Sequence, residues 1–400
     1  MITRRSFLQS GAAAAAFAAS ARAARAETPG VTDTEIKIGQ TMPYSGPASA
    51  YGVIGRTEAA YFKMINEQGG VNGRKINLLS LDDGYSPPKT VEQVRRLVED
   101  EKVAFLFNTL GTAPNLAIRQ YLNDNRIPQL FVSTGASVFS DPAHFPWTIG
   151  YNPNYQTEAR IYGKHILATK PDGKIAVLYQ NDGFGKEYLS GLKDALGDKS
   201  GMIVKEASYE TSEPTVDSQV VTLQGSGADI LIIAATPKFA AQAIRKSYDL
   251  GWNGVRYLSN VSPSIATVLK PAGLEKSKGL ICAYYGKDPT DAKWKDDPGM
   301  KEWAAFCDKY LSHAEFLDAN AAYAYSAAGT MLQTIKQCGA DLSRDNVMKQ
   351  AANIKDLELP LLLPGMRINT SPTNFSPIRQ MQLASFDGQS WQLFGELLMG

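Results

Sequence analysis

His144, His165 and His313 are the only imidazoles in the chain, and they are scattered without metal-ligand spacing. No Gly-x-Ser-x-Gly elbow offers a nucleophile, and no Gly-Lys-Ser/Thr loop offers a phosphate cradle. Gly183-Phe184-Gly185 imitates the opening of a dinucleotide fingerprint, but Tyr188 stands where the third glycine belongs. Asp82-Asp83 admits two readings, a pair of metal ligands or a polar cap at a strand end, and the cap is the simpler. These residue types give no nucleophile-base pair, no metal cluster and no cofactor loop, so the chemistry left to the chain is binding.

Two segments are suited to binding. Asn108-Thr109-Leu110-Gly111-Thr112-Ala113-Pro114 leads from a strand into a helix, and Ser133-Thr134-Gly135-Ala136-Ser137 follows the next strand. Both are small, hydroxyl-rich and glycine-containing, so backbone N–H groups and hydroxyls can approach a ligand closely. A helix N-terminus adds partial positive charge, which suits a carboxylate or another small anion.

The elements that must position these loops follow a βα grammar. Strand signals at Glu35–Gly39, Ile76–Leu81, Val103–Phe107 and Gln129–Val132 alternate with helical signals at Tyr51–Gln68, Pro88–Glu101 and Pro114–Asn123. After Trp147 a second series begins. Its strands are Lys174–Tyr179, Met202–Ser208, Asp229–Ala234 and Arg256–Leu258, and its helices Lys186–Leu196, Val216–Gln224 and Lys238–Leu250. The pattern predicts an α/β fold of two doubly wound parallel-sheet lobes, with ligands at the carboxyl ends of the strands. The last third differs: Met300–Leu311 and Ala319–Gln337 are helical, and Arg367 to Phe394 reads as strands with turns at Ser371-Pro372 and Asp387-Gly388.

The chain has 400 residues, of which 44% are hydrophobic and 20% charged, enough for two cores. Thr3-Arg4-Arg5-Ser6-Phe7-Leu8, a short apolar run from Gly11 to Ala19 and Ala24-Arg25-Ala26 together make a twin-arginine export signal over residues 1–26. Cleavage is expected near Glu27, placing the protein in a bacterial periplasm. Without Arg4, Arg5, Arg22 and Arg25, the 41 basic residues become 37 against 40 acidic, which favours neither nucleic acid nor an anionic membrane. Cys307 and Cys338 fall in helical segments and could pair. Alternatively they and Cys282 are buried thiols used as small apolar side chains.

An ordered set of short motifs carries a family resemblance. Ile36-Lys37-Ile38-Gly39 leads to Ser45-Gly46-Pro47 and Tyr51-Gly52. Ile65-Asn66-Glu67-Gln68-Gly69-Gly70-Val71-Asn72-Gly73-Arg74, Asp82-Asp83, Ile127-Pro128 and Asn181-Asp182-Gly183-Phe184-Gly185 follow. With these the chain resembles the solute-binding proteins of branched-chain amino acid ABC transporters, which have the type I periplasmic-binding fold. The resemblance implies two lobes joined by a three-strand hinge, closing over a ligand and delivering it to a membrane permease without chemistry or cofactor. It places lobe I at 33–149 plus about 283–355, and lobe II at 150–282 plus about 356–400, in a monomer.

Site residues carry over one at a time. Thr112 matches a serine whose hydroxyl, with the neighbouring Leu110-Gly111 amides, holds a ligand carboxylate. Ser137, or Gly135-Ala136, matches the segment that completes the clamp. Tyr51 and Phe184 match aromatic residues of the two lobes, and Tyr44, Tyr151 and Tyr155 add to an apolar slot.

The departures from the family are informative. Amino-acid binders hold the α-ammonium with a second-lobe tyrosine and glutamate, near which this chain has Thr236 and Asn260-Val261-Ser262. No Asp or Glu lies between Val255 and Leu274, and Asn152 stands near an acidic position of the first crossing. Relatives with this Leu-Gly-Thr and Gly-Ala-Ser pattern resemble binders of aromatic or other hydrophobic acids. The expected ligand is therefore a carboxylate without an ammonium group, such as an aromatic acid. A branched-chain amino acid is the rival ligand. A sensor feeding a signalling receptor is a second rival, and an enzyme on the same frame a third.

Overall fold

The computed structural model describes residues 28–399. The export signal expected over residues 1–26 lies outside the described residues.

The first sheet takes strands β1 (Glu35–Met42), β2 (Lys75–Asp82), β3 (Leu106–Phe107), β4 (Gln129–Val132) and β5 (Thr148–Gly150) in the order β2-β1-β3-β4-β5. All its pairs are parallel, β1 and β2 running in register from Glu35 opposite Lys75 to Met42 opposite Asp82. Helices α1 (Gly52–Glu67), α2 (Pro87–Arg95) and α3 (Thr112–Asp124) are its crossovers. Strand order reverses between β1 and β3, the point where such sheets open a crevice.

The second sheet holds β6 (Ile175–Gln180), β7 (Ile203–Tyr209), β8 (Ile230–Ala234), β9 (Val255–Leu258), β10 (Leu280–Tyr284), β11 (Gln380–Phe386) and β12 (Trp391–Met399). Its order is β12-β11-β10-β9-β8-β6-β7, parallel except for the pairs made by β11. Central β8 is buried along its whole length, which is why its sequence is an unbroken apolar run. Helices α4 (Tyr155–Thr169), α5 (Gly183–Leu196), α6 (Asp217–Gln224) and α7 (Pro237–Asp249) cover the sheet.

The chain changes sheet three times, after β5, after β10 and before β11. Between the last two crossings it returns to the first lobe as α8 (Pro298–Tyr310), α9 (Ala319–Cys338) and α10 (Arg344–Ala351). There α9 packs on α1, with Tyr325 edge-on to Tyr61 at 5.0 Å.

The differences from the sequence reading are local. The β-type run Val103–Phe107 keeps only Leu106–Phe107 as strand, and Pro88–Glu101 is an α-helix that ends in a wider turn over Arg96–Asp100. Residues 367–379 form no strand, because Pro372 and Pro377 lack the N–H a ladder needs. The helix α4, unrecognised in the sequence, begins where Asn154 Oδ1 accepts from the backbone of Gln156 and Thr157. Cys282, Cys307 and Cys338 are all buried and free, so the Cys307–Cys338 bridge does not form.

Asp82 and Asp83 close β2 as polar caps. Asp82 accepts from the backbone of Tyr44, Ser45 and Gly84 and pairs with Lys89 at 3.0 Å. Asp83 accepts from the Tyr85 N–H and the Thr90 hydroxyl. Gly185 is required by packing: a Cβ there would lie 2.1 Å from the carbonyl oxygen of Gln180, so the glycines after Asp182 serve the seating of α5 on β6.

Candidate ligand-binding cleft

The carboxyl ends of the two sheets face each other across a cavity. Of the residues expected at the site, Tyr51, Leu110, Gly111 and Tyr151 line it from the first lobe's side, and Tyr155, Phe184, Thr236 and Asn260 from the second's. Thr112, Gly135, Ala136 and Ser137 do not line it, and neither does Tyr44, whose hydroxyl is bonded to Ser80 Oγ at 2.6 Å.

The loops reach the cavity through backbone that few residues adopt. Asn108 (φ 47°) and Phe131 (φ 55°), at the ends of β3 and β4, are both left-handed. The Asn108 side chain ties them together by donating to the Phe131 carbonyl at 2.7 Å. The register of β4 against β5 shifts here, which re-aims the residues that follow. Gly111 (φ 100°) is the N-cap of α3, and a Cβ on it would lie 2.6 Å from the Tyr85 ring. Only glycine supplies both this conformation and this approach.

Thr112 acts one step behind the wall. Its hydroxyl lies 2.7 Å from that of Thr134, and Thr134 donates to the Tyr155 hydroxyl at 3.2 Å. Thr134 has one hydrogen and gives it to Tyr155, so Thr112 is the donor to Thr134. The relay leaves the Tyr155 hydrogen for an acceptor. Tyr85 is arranged alike, accepting from Gln180 Nε2 at 3.4 Å. Burial raises both phenols above their usual range, so both stay protonated donors. With the N-terminus of α3 beside Gly111, this part of the cleft is suited to an anionic group.

The rest of the wall is aromatic. Seven tyrosines and Phe184 line the cavity, among them Tyr85, Tyr284, Tyr285 and Tyr323, which the sequence reading missed. Tyr323 comes from α9, more than 200 residues from Asn108, which donates to its hydroxyl at 2.9 Å. Nothing in the sequence separates it from a core tyrosine. Among the described lining residues the only charged one is Lys287, and its ammonium is already held by Asp297 at 2.7 Å and the Pro360 carbonyl at 2.8 Å. No Asp or Glu lines the cavity.

Glu158 stands behind Asn260. It is fully buried and accepts from Tyr162, Tyr188 and the Asn260 backbone N–H. Burial pushes its carboxyl up to about 7, against the pull of these hydrogen bonds. The lobes also touch directly: the Tyr51 hydroxyl donates to the Val261 carbonyl at 2.9 Å, so the cleft is closed. The histidines take no part. His144 pairs with Asp141, His165 bonds the Tyr257 hydroxyl and His313 stacks on Phe316. Among the described residues no group of three or more His, Cys, Asp or Glu could hold a metal, and no helix is long and apolar enough to cross a membrane.

Two facing parallel-sheet lobes with a closed cleft between them define a two-lobed binding protein. Residues 35–390 match the periplasmic binding protein family, and the chain belongs to it. It is thus a binding protein and not an enzyme. It is similar to the Leu/Ile/Val-binding protein homolog 1 of Brucella abortus, 25% identical over 77% of this chain and 80% of that one. The Leu/Ile/Val-binding protein homolog 7 of Brucella suis is 24% identical over 90% and 89%. Among solved structures, a branched chain amino acid ABC transporter protein from Thermus thermophilus with bound valine superposes with a TM-score of 0.83. It is 16% identical over 92% of this chain and 98% of that one. A fatty acid ABC transporter substrate-binding protein from Thermomonospora curvata gives a TM-score of 0.78, at 22% identity over 94% and 95%.

Proposed function

We propose that this protein captures an aromatic or otherwise hydrophobic acid without an ammonium group and hands it to the permease of an ABC importer. The observation that carries this reading is the cavity wall, which is rich in tyrosine, has no carboxylate and has its one lysine already paired. An amino acid would bring a buried ammonium with no counter-charge, which costs several kcal/mol. A flat ring burying about 150 Å² contributes roughly 3–4 kcal/mol by area transfer. The Tyr155 and Tyr85 hydroxyls and the α3 N-terminus would take the carboxylate. The fatty-acid relative supports an apolar acid as cargo in this fold.

In this reading the moving bodies are 33–149 with about 283–355, and 150–282 with about 356–400. They close as a monomer in the periplasm after twin-arginine export. A branched-chain amino acid is the second reading, favoured by the names of the Brucella relatives and by the valine-bound structure.

Thermal unfolding of the protein, stripped of carried-over ligand by denaturation and refolding, separates the two. The panel is benzoate, hydroxybenzoates, cinnamate-type acids, short aliphatic acids, leucine, valine and glutamate. A ligand at a hundredfold excess over its Kd stabilises by about 2.7 kcal/mol. Shifts with hydrophobic acids and none with amino acids are expected. Shifts with leucine or valine alone would overturn the proposal.

A further inference from the structure

Most polar groups around the cavity are engaged within the protein. Tyr51 donates to Val261, Thr236 to Gln180, Tyr284 to Asp288, and Asn152 accepts from Tyr323. Two asparagines differ. Asn260 and Asn320 both line the cavity, and each is only 8% exposed. Neither Oδ1 nor Nδ2 of Asn260 makes a hydrogen bond, and neither does Nδ2 of Asn320. The Glu158 and Asp318 carboxyls lie beside the N–H groups of the respective amides and draw on them, whereas Asn260 Oδ1 has no donor within the protein.

The two amides belong to one connected wall. Asn260 follows β9, and its backbone N–H is fixed by Glu158 at 2.8 Å. Four residues on, Ser264 donates to Asp318 at 3.0 Å, and the same Asp318 oxygen caps α9 by accepting from the Asn320 N–H. Both backbones are therefore held in the cavity wall, and the Asn260 amide oxygen is left without a donor. Buried polar groups are rarely left so, and the cost is removed when a ligand supplies the missing partners.

We propose that Asn260 and Asn320 are specificity residues that select a neutral hydroxyl on the cargo. A hydroxyl has one hydrogen to give and two lone pairs to fill. It donates to Asn260 Oδ1 and accepts an N–H from Asn320. An ammonium can give a hydrogen to Asn260 Oδ1 but has no lone pair for the Asn320 N–H, and a second carboxylate has no hydrogen for Asn260 Oδ1. The cargo is then a hydroxylated hydrophobic acid, its carboxylate toward Tyr155 and Tyr85. This rests on the acid-binding reading above.

Titration calorimetry of the full protein with benzoate, 3-hydroxybenzoate, 4-hydroxybenzoate and leucine tests it. At least one hydroxybenzoate is expected to bind about tenfold or more tighter than benzoate, the worth of one well-placed hydrogen bond. In Asn260→Leu the ratio of hydroxybenzoate to benzoate affinity falls toward one. Asn320→Ala, which leaves the Asp318 cap intact, lowers the ratio as well and serves if Asn260→Leu does not fold. Equal affinities for benzoate and both hydroxybenzoates overturn the inference while leaving the acid-binding reading standing. So does an unchanged ratio in the folded variants. Binding of leucine with no benzoate-type acid bound overturns both.

Discussion

Glu187 on α5 reaches across the cleft and holds the turn at Ser137, which follows β4. The Ser137 N–H lies 2.9 and 3.0 Å from its two carboxylate oxygens, and the Ser137 hydroxyl donates to it at 2.6 Å. Ser137 thus binds the opposite lobe, where the sequence suggested it would bind the ligand. The contact ties the two lobes together in the closed state.

Removing that contact should weaken binding without altering the cavity. A hydrogen bond to a charged group contributes about 1.5–3 kcal/mol, and apparent affinity scales with the closed population. Glu187→Ala is expected to raise Kd by about tenfold and to increase the radius of gyration of the unliganded protein in X-ray scattering. Unchanged affinity and scattering would show that Ser137–Glu187 does not support closure.

Glu158 makes stability depend on pH near neutrality. Its carboxyl moves from an ordinary 4.5 up to about 7, mainly through burial. The folded chain therefore holds this proton more tightly than the unfolded one. The contribution to stability is full below about pH 4.5 and is lost as pH rises through 7. Between those limits the wild type should lose about 3 kcal/mol relative to Glu158→Gln. Urea unfolding of both proteins at several pH values measures it, and a pH-independent difference refutes it.

The hydroxyl relay predicts that Tyr155 binds through its hydrogen and Thr134 helps only indirectly. Tyr155→Phe should weaken benzoate binding by about tenfold, the worth of one charge-assisted hydrogen bond. Thr134→Val should cost less, because the phenol keeps its donor. Calorimetry that finds Tyr155→Phe equal to wild type would remove Tyr155 from the anion site.

Gly111 should not tolerate a side chain. Gly111→Ala combines a left-handed φ with a contact at 2.6 Å to the Tyr85 ring. Strain of this kind costs of order 1–3 kcal/mol, and here it falls on the cavity wall. Lowered thermal stability together with weakened acid binding is the expected result; loss of neither would mean that Tyr85 moves aside freely.

The free thiols give a simple check on packing. Cys282, Cys307 and Cys338 should be silent to a thiol reagent in the folded protein, with all three reacting after denaturation. A reductant should leave the melting temperature unchanged. A shift on reduction would mean that two of them pair.

Much of the frame was legible in the residues. The alternation of apolar runs with 3.6-period segments specified two parallel-sheet lobes. Gly69-Gly70 breaks the chain where α1 ends; that Asp182 caps α5 is seen only in the structure. The ends of β3 and β4 lie at the sheet edge that opens on the cavity, and no acid between Val255 and Leu274 lines that cavity. What the tertiary structure decided was which buried groups meet a cavity and which meet a core. The sequence does not show what Tyr323, Tyr285 and Glu158 pack against, because their neighbours arrive from across the chain through three lobe crossings. For the same reason Ser137 belongs to closure and Thr112 to the layer behind Tyr155: one to three residues along a loop turn a hydroxyl from the ligand's side to the protein's.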